Sequence, residues 1–226
     1  MSRRKPVVIA LSGLDGSGKS SQSSRIQSRL HDLGHDAHVH WMALGHSSLQ
    51  RRLKRFASLG RRSRGGTARG SAMLEVDGVV KYRAHRNPVI VHAWVLALAA
   101  VYGVHFRRVL RQQTADVVIF DRYILDAIAQ SRYFYAPQAS FRVARTVLRL
   151  LAPRPHLSVL LAVPAEVALA RKPEQYGLEQ LSLQAGLLRE EASRLGVQVV
   201  DGTRPENELT DELLAGTLAA LAARAA

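Results

Sequence analysis

Short continuous apolar runs alternate along this chain with stretches of helical period. Val7-Val8-Ile9-Ala10-Leu11 is apolar throughout, the pattern of a strand covered on both faces. Further strands are expected at 37–41, 117–120, 157–163 and 197–200. Between them the apolar spacing becomes helical. Ile26, Leu30 and Leu33 mark a helix over 19–33, with Gly34 placed as a C-cap glycine. Asn87-Pro88, a cap followed by a first-turn proline, opens a helix reaching Arg111. Helical patterns continue over 124–151 with a break at Pro137, then over 164–172 and 178–195. A last helix is expected from about Thr210, whose hydroxyl would cap it ahead of Asp211 and Glu212.

Strands that alternate with helices predict an α/β fold: one parallel sheet with helices on both faces. Ligands then bind outside the C-terminal ends of the strands. Residues 43–87 show no period, and a loop with short helices is expected there, inserted into a single domain over 1–226.

With 47% hydrophobic residues in 226, the chain can fill one core. It has no cysteine, which excludes disulfides and thiolate metal sites. The apolar run at 7–11 is too short for a leader, and the stretch 89–104, interrupted by His92 and Gly103, falls short of a membrane span. A cytoplasmic protein is expected. The net charge of +14 is unevenly spread: eight of the twenty residues 51–70 are Arg or Lys, among Gly and Ser. Such a run suits an anionic membrane surface or nucleic acid, although its one aromatic, Phe56, makes a poor base-stacking surface.

The chemistry concentrates after the first strand. Gly13-Leu14-Asp15-Gly16-Ser17-Gly18-Lys19-Ser20 matches G-x-x-x-x-G-K-[ST] in full and sits between a buried strand and a helix. The glycines let backbone N–H groups turn toward phosphate oxygens, Lys19 would reach the β- and γ-phosphates of ATP, and the Ser20 hydroxyl would ligate Mg²⁺. Ser21 follows in the helix, whose positive end faces the same anion. Asp15, inside the loop, would point away from the triphosphate toward an acceptor hydroxyl. Asp121-Arg122 closes the third strand: the carboxylate would hold a metal-bound water or take a proton, and the guanidinium would clamp phosphoryl oxygens. Arg171-Lys172 precedes Pro173 and Gly177, which suggests a mobile lid over 171–180. His46, after strand two, is a candidate acceptor contact.

These residues resemble the thymidylate kinase-like branch of the P-loop kinases. The likeness rests on Leu11 to Gln22, on Phe120-Asp121-Arg122-Tyr123, on Leu160 to Lys172, and on Val199-Val200-Asp201-Gly202. It implies a five-stranded parallel sheet in the nucleoside-monophosphate-kinase arrangement. It also implies that Asp121 and Arg122 serve metal water and acceptor phosphate, that Arg171 belongs to a lid near ATP, and that Asp15 contacts an acceptor sugar hydroxyl. The sequence departs from that family twice. Met42-Ala43-Leu44-Gly45-His46 stands where an Arg-Glu-Pro-Gly-Gly type loop is usual, and Leu98-Ala99-Ala100-Val101-Tyr102 lacks the usual arginine. The chain is similar in this to a divergent group of thymidylate kinase-like proteins, some linked to surface polysaccharide pathways.

The expectation is thus an ATP- and Mg²⁺-dependent kinase with a small-molecule acceptor, nucleotide-like or sugar-containing. Three alternatives stand beside it: a regulatory P-loop switch with slow ATPase activity, a true thymidylate kinase with an altered pocket, and a nucleic-acid-end kinase using residues 51–70. A homodimer is compatible with each.

Overall fold

A computed structural model of the chain describes residues 5–42, 73–76, 79–82, 88–135, 140–174 and 176–225. In chain order the strands are β1 (Val7–Gly13), β2 (Ala37–Trp41), β3 (Met73–Val76), β4 (Val79–Tyr82), β5 (Val117–Asp121), β6 (Leu157–Ala162) and β7 (Gln198–Asp201). The helices are α1 (Lys19–Asp32), α2 (Pro88–Gln112), α3 (Ile124–Tyr135), α4 (Arg142–Leu151), α5 (Ala165–Arg171), α6 (Leu178–Leu195) and α7 (Glu206–Ala225). Five strands form one all-parallel sheet in the order β2-β5-β1-β6-β7. This is the α/β arrangement expected from the alternating pattern.

The central strand explains its own composition. All seven residues of β1 are buried, because helices cover both sheet faces. On one face Val7, Ile9 and Leu11 pack with Ile26 and Leu30 of α1 and with Leu209, Leu213 and Leu221 of α7. On the other, Val8, Ala10, Val118 and Phe120 pack with α2, α3 and α4. Leu160 and Val163 extend that side against α5 and α6. The register pairs Leu11 with Asp121 and Gly13 with Leu161, which brings the loop after β1 and the end of β5 to one edge.

Beneath the surface, the fully buried Glu191 of α6 accepts hydrogen bonds from Arg132 (2.9 Å), Arg145 (2.8 Å) and Arg194 (2.7 Å). One carboxylate thereby ties α6 to α3 and α4, and a buried charge of this kind is tolerated only when paired.

The structure differs from the sequence expectations in three places. The last helix starts at Glu206, so Thr210 is inside it. Its hydroxyl is no cap: it lies 2.8 Å from the Glu206 carbonyl and 2.9 Å from Gln22 Oε1, bonding inward to α1. Within 43–87, expected to be loop and short helices, β3 and β4 form an antiparallel pair. The other residues of that stretch, including His46 and the basic run 51–70, lie outside the described residues, as does Pro137. Finally, α2 is 25 residues long, and its Val91–Gln112 portion is long and apolar enough to cross a membrane by length and composition. Its Val91, Val95, Leu98, Tyr102 and Phe106 are buried in one cluster with Val118 and Phe120 of the sheet, and 33% of that apolar portion is buried.

Candidate functional site

The loop after β1 turns on Gly16 and Gly18, with φ of 87° and 88°. These are left-handed values that side chains with a Cβ resist. At Gly16 space is a second constraint: a Cβ would come within 2.6 Å of the Ala168 carbonyl oxygen, so the loop lies directly on α5. Ser17 N–H closes the turn onto the Leu14 carbonyl at 3.1 Å. Helix α1 then begins at Lys19 with no side-chain cap and no acidic residue in its first turn. Its N-terminal N–H groups and positive dipole end are left for an anion.

Lys19 is folded back into this cradle. Its Nζ donates to the Leu14 carbonyl at 2.5 Å and lies 3.4 Å from Ser17 Oγ. Burial, and then the nearby Arg122 charge, lower its pKa to about 8, against the opposing pull of Asp126, Asp121 and Asp15.

At the end of β5 the Ser20 hydroxyl donates to Asp121 Oδ2 at 2.6 Å. Asp121 is buried, and its Oδ1 has no hydrogen-bond partner among the described residues. A hydroxyl and a carboxylate with a free buried oxygen are the hard oxygen donors that Mg²⁺ takes. No cluster of three or more His, Cys, Asp or Glu side chains offers an all-protein metal cage among the described residues.

Arg122 follows with a left-handed backbone, φ 79°, rare for a residue with a side chain. Such strain, about 1–3 kcal/mol, persists only where the surroundings fix it. Here its N–H donates to the Leu11 carbonyl at 2.9 Å. The guanidinium is paired with Asp15 of the glycine loop and lies 3.5 Å from Asp126 of α3. Burial disfavours the Arg122 charge, but Asp126, Asp15 and Asp121 outweigh it and raise its pKa above the ordinary value. Asp126 itself is pushed up by its own burial, with Arg122 and Lys19 opposing.

Arg171, at the last position of α5, donates from Nη1 to the Gly16 carbonyl at 3.4 Å, so it reaches the loop. Gly13, Asp15, Gly16, Ser17, Gly18, Lys19, Ser20, Asp121, Arg122 and Arg171 thus converge. Ser21 is exposed in the first turn of α1. Leu98, Ala99 and Tyr102 face the core. Arg107 donates to the Leu150 carbonyl at 3.0 Å, at the end of α4.

Two residues near the site carried no signal strong enough to single them out. Asp126 lies in the first turn of α3, four residues after Arg122, and the left-handed backbone at Arg122 turns the guanidinium back onto it. Tyr176, whose hydroxyl pKa is raised by burial and then by Asp15, sits close enough to Asp15 and Arg122 for their charges to act on it. A small crevice opens beside Arg122 and Asp126, with Gln130 and Gln184 supplying amide groups at its wall.

A parallel sheet with a glycine loop and an Asp-Arg strand end at its C-terminal edge is a P-loop-kinase-like arrangement. No protein-family model matches the chain. It is similar to a protein of Saccharolobus solfataricus described as "Probable thymidylate kinase 1", 26% identical over 125 residues, which cover 53% of this chain and 64% of that protein. The chain therefore spans less than two thirds of that relative's length. The similarity favours a thymidylate kinase-like P-loop kinase and agrees with the fold.

Proposed function

We propose that this chain is an ATP-dependent phosphotransferase that moves the γ-phosphate to a small-molecule acceptor, nucleotide-like or sugar-containing. The observation that carries the reading is the convergence of Lys19, the Ser20–Asp121 pair and Arg122 at an uncapped helix N-terminus. In this reading the N–H groups of residues 16–20 hold the phosphates, and Lys19 exchanges its Leu14 carbonyl partner for β- and γ-phosphate oxygens. Ser20 and Asp121 would hold Mg²⁺, which supplies charge neutralisation on the β- and γ-phosphates when bound. Arg122 and Arg171 face the charge that spreads over the transferring phosphoryl group. The acceptor oxygen attacks the γ-phosphorus, the bond to the β-bridging oxygen breaks, and ADP leaves. A phosphate acceptor needs no base. A hydroxyl acceptor loses its proton to Asp121 or Asp15, the carboxylates at that edge.

The test is transfer of label from γ-labelled ATP to pooled nucleotides, nucleosides and sugar derivatives. Label appearing in a small molecule supports the proposal. ATP binding with slow hydrolysis, unchanged by any pool, would instead make the loop a regulatory switch.

A further inference from the structure

We infer that Asp126 is the fixed anchor of Arg122, a positioning residue that holds the inner edge of the guanidinium, while Asp15 is the exchangeable partner that an incoming phosphoryl group displaces. The inference rests on the kinase reading of the site.

The two carboxylates around Arg122 are not equivalent. The Asp15 side chain is 24% exposed and sits on the glycine loop, whereas that of Asp126 is 1% exposed and sits on α3. Asp126 Oδ2 accepts the Tyr123 N–H at 3.3 Å, which fixes the carboxylate to the start of its own helix. Its Oδ1 faces Arg122 Nη1 at 3.5 Å, and the buried Ser12 hydroxyl is a further donor that favours the charged carboxylate. Burying a carboxylate is unfavourable even with these donors, and an apolar side chain would pack there at lower cost. Packing therefore gives no reason for the charge, but Arg122 does. Its strained backbone fixes where the side chain starts, and a long side chain still needs a partner to fix where it ends. The guanidinium has five N–H donors in a rigid fork. Asp126 takes the inner edge, and Asp15 covers the outer edge that faces solvent and ligand. A phosphoryl group offers the outer edge a better bidentate acceptor than Asp15. It offers nothing to the inner edge, so Asp126 keeps the fork aimed throughout. Asp126 does not touch the reacting atoms.

The experiment uses the full chain and two variants. Asp126→Asn keeps an oxygen for the Tyr123 N–H but removes the charge, and Asp126→Ser removes the charge with a smaller side chain. Three quantities are measured: the Arg122 guanidinium resonances by ¹⁵N NMR, assigned by their loss in Arg122→Lys; the affinity for Mg²⁺-ATP by calorimetry; and kcat for ADP formation with the acceptor pool. The wild type should show hindered guanidinium rotation that becomes averaged in both variants. At a pH well below 8, where Lys19 keeps its charge, the kcat should fall by at least roughly tenfold, as for a lost transition-state contact, with the ATP affinity held within about threefold. In an Arg122→Lys background, Asp126→Asn should add little. An unchanged guanidinium signal and kcat in both variants would overturn the inference, and so would a full additional loss in the Arg122→Lys background. A wild type that neither binds nor turns over ATP counts against the kinase reading instead, and the NMR comparison then decides the anchor by itself.

Discussion

The Ser20 hydroxyl donates a 2.6 Å hydrogen bond to Asp121, a residue 101 positions away in sequence. The parallel register of β1 and β5 makes the contact, since it sets Leu11 beside Asp121 at the sheet edge. If these two side chains hold Mg²⁺, Ser20→Ala and Asp121→Asn should both raise the Mg²⁺ concentration needed for half-maximal ATP turnover. Asp121→Asn should have the larger effect, on the order of tenfold or more, because it removes a charged ligand. A Mg²⁺ titration of turnover checks this. Unshifted curves for both variants would place the metal elsewhere.

Gly16 and Gly18 share a left-handed φ but differ in surroundings. Alanine at Gly18 meets open space, so its cost is the backbone alone, about 1–2 kcal/mol. Alanine at Gly16 adds a clash with backbone at Ala168, and the total should reach about 3 kcal/mol or more. Thermal or urea unfolding of the nucleotide-free variants reads this order directly. Equal losses would mean that the loop does not rest on α5.

Lys19 makes nucleotide binding depend on pH. Its pKa in the nucleotide-free protein is about 8, lowered mainly by burial and by Arg122, with Asp126, Asp121 and Asp15 facing it from the other side. A triphosphate favours the charged amine, so ATP binding near pH 8 should take up a proton, and affinity should weaken as pH rises through 8. Calorimetry in buffers of different ionisation enthalpy measures the uptake, and Lys19→Met should abolish it. For stability the sign is opposite. The folded pKa lies below the unfolded value, so the unfolded chain binds more protons between about pH 8 and 10.5, and this residue's contribution to stability rises with pH across that window.

The legible and the hidden parts of this protein separate by the range of the interaction. Strand β1 was readable because burial on both faces leaves a continuous apolar run, and the glycine loop was readable because φ and phosphate approach both restrict residue type. The start of α7 was misread at Thr210, since Thr-Asp-Glu has the local chemistry of a cap. Leu209 and Leu213 instead carry the helix back to Glu206, and Thr210 turns inward to Gln22. Asp126 stayed hidden for a related reason. An acidic residue in a first helical turn reads as an ordinary dipole partner on the surface. Only the packing of its helix against α6 and β1 removes it from water.

Thymidylate should be a poor acceptor. In the helix segment where the resembled family supplies an arginine, Leu98, Ala99 and Tyr102 are core residues. Arg107, the nearest replacement along that helix, is bound to the Leu150 carbonyl. A missing charged hydrogen bond in a buried site costs about 2–5 kcal/mol, which is roughly thirtyfold to several thousandfold in affinity. Steady-state kinetics with thymidylate, other nucleoside monophosphates and hydroxyl acceptors decide the matter. A thymidylate kcat/KM within about 10⁴–10⁸ M⁻¹s⁻¹ would make this a thymidylate kinase with a rebuilt pocket.

If the loop at 13–20 catalyses transfer of the γ-phosphate, Lys19→Ala should remove most of that activity while leaving the fold in place. The lysine is buried in the cradle, so the measurement pairs circular dichroism of the variant with its rate of label transfer from γ-labelled ATP to the acceptor pool. The variant should keep its fold and transfer label at a rate lowered at least roughly a hundredfold, as for loss of an electrostatic stabiliser of the transition state. A folded variant that transfers phosphate at close to the wild-type rate would mean that this loop is not where the transfer occurs.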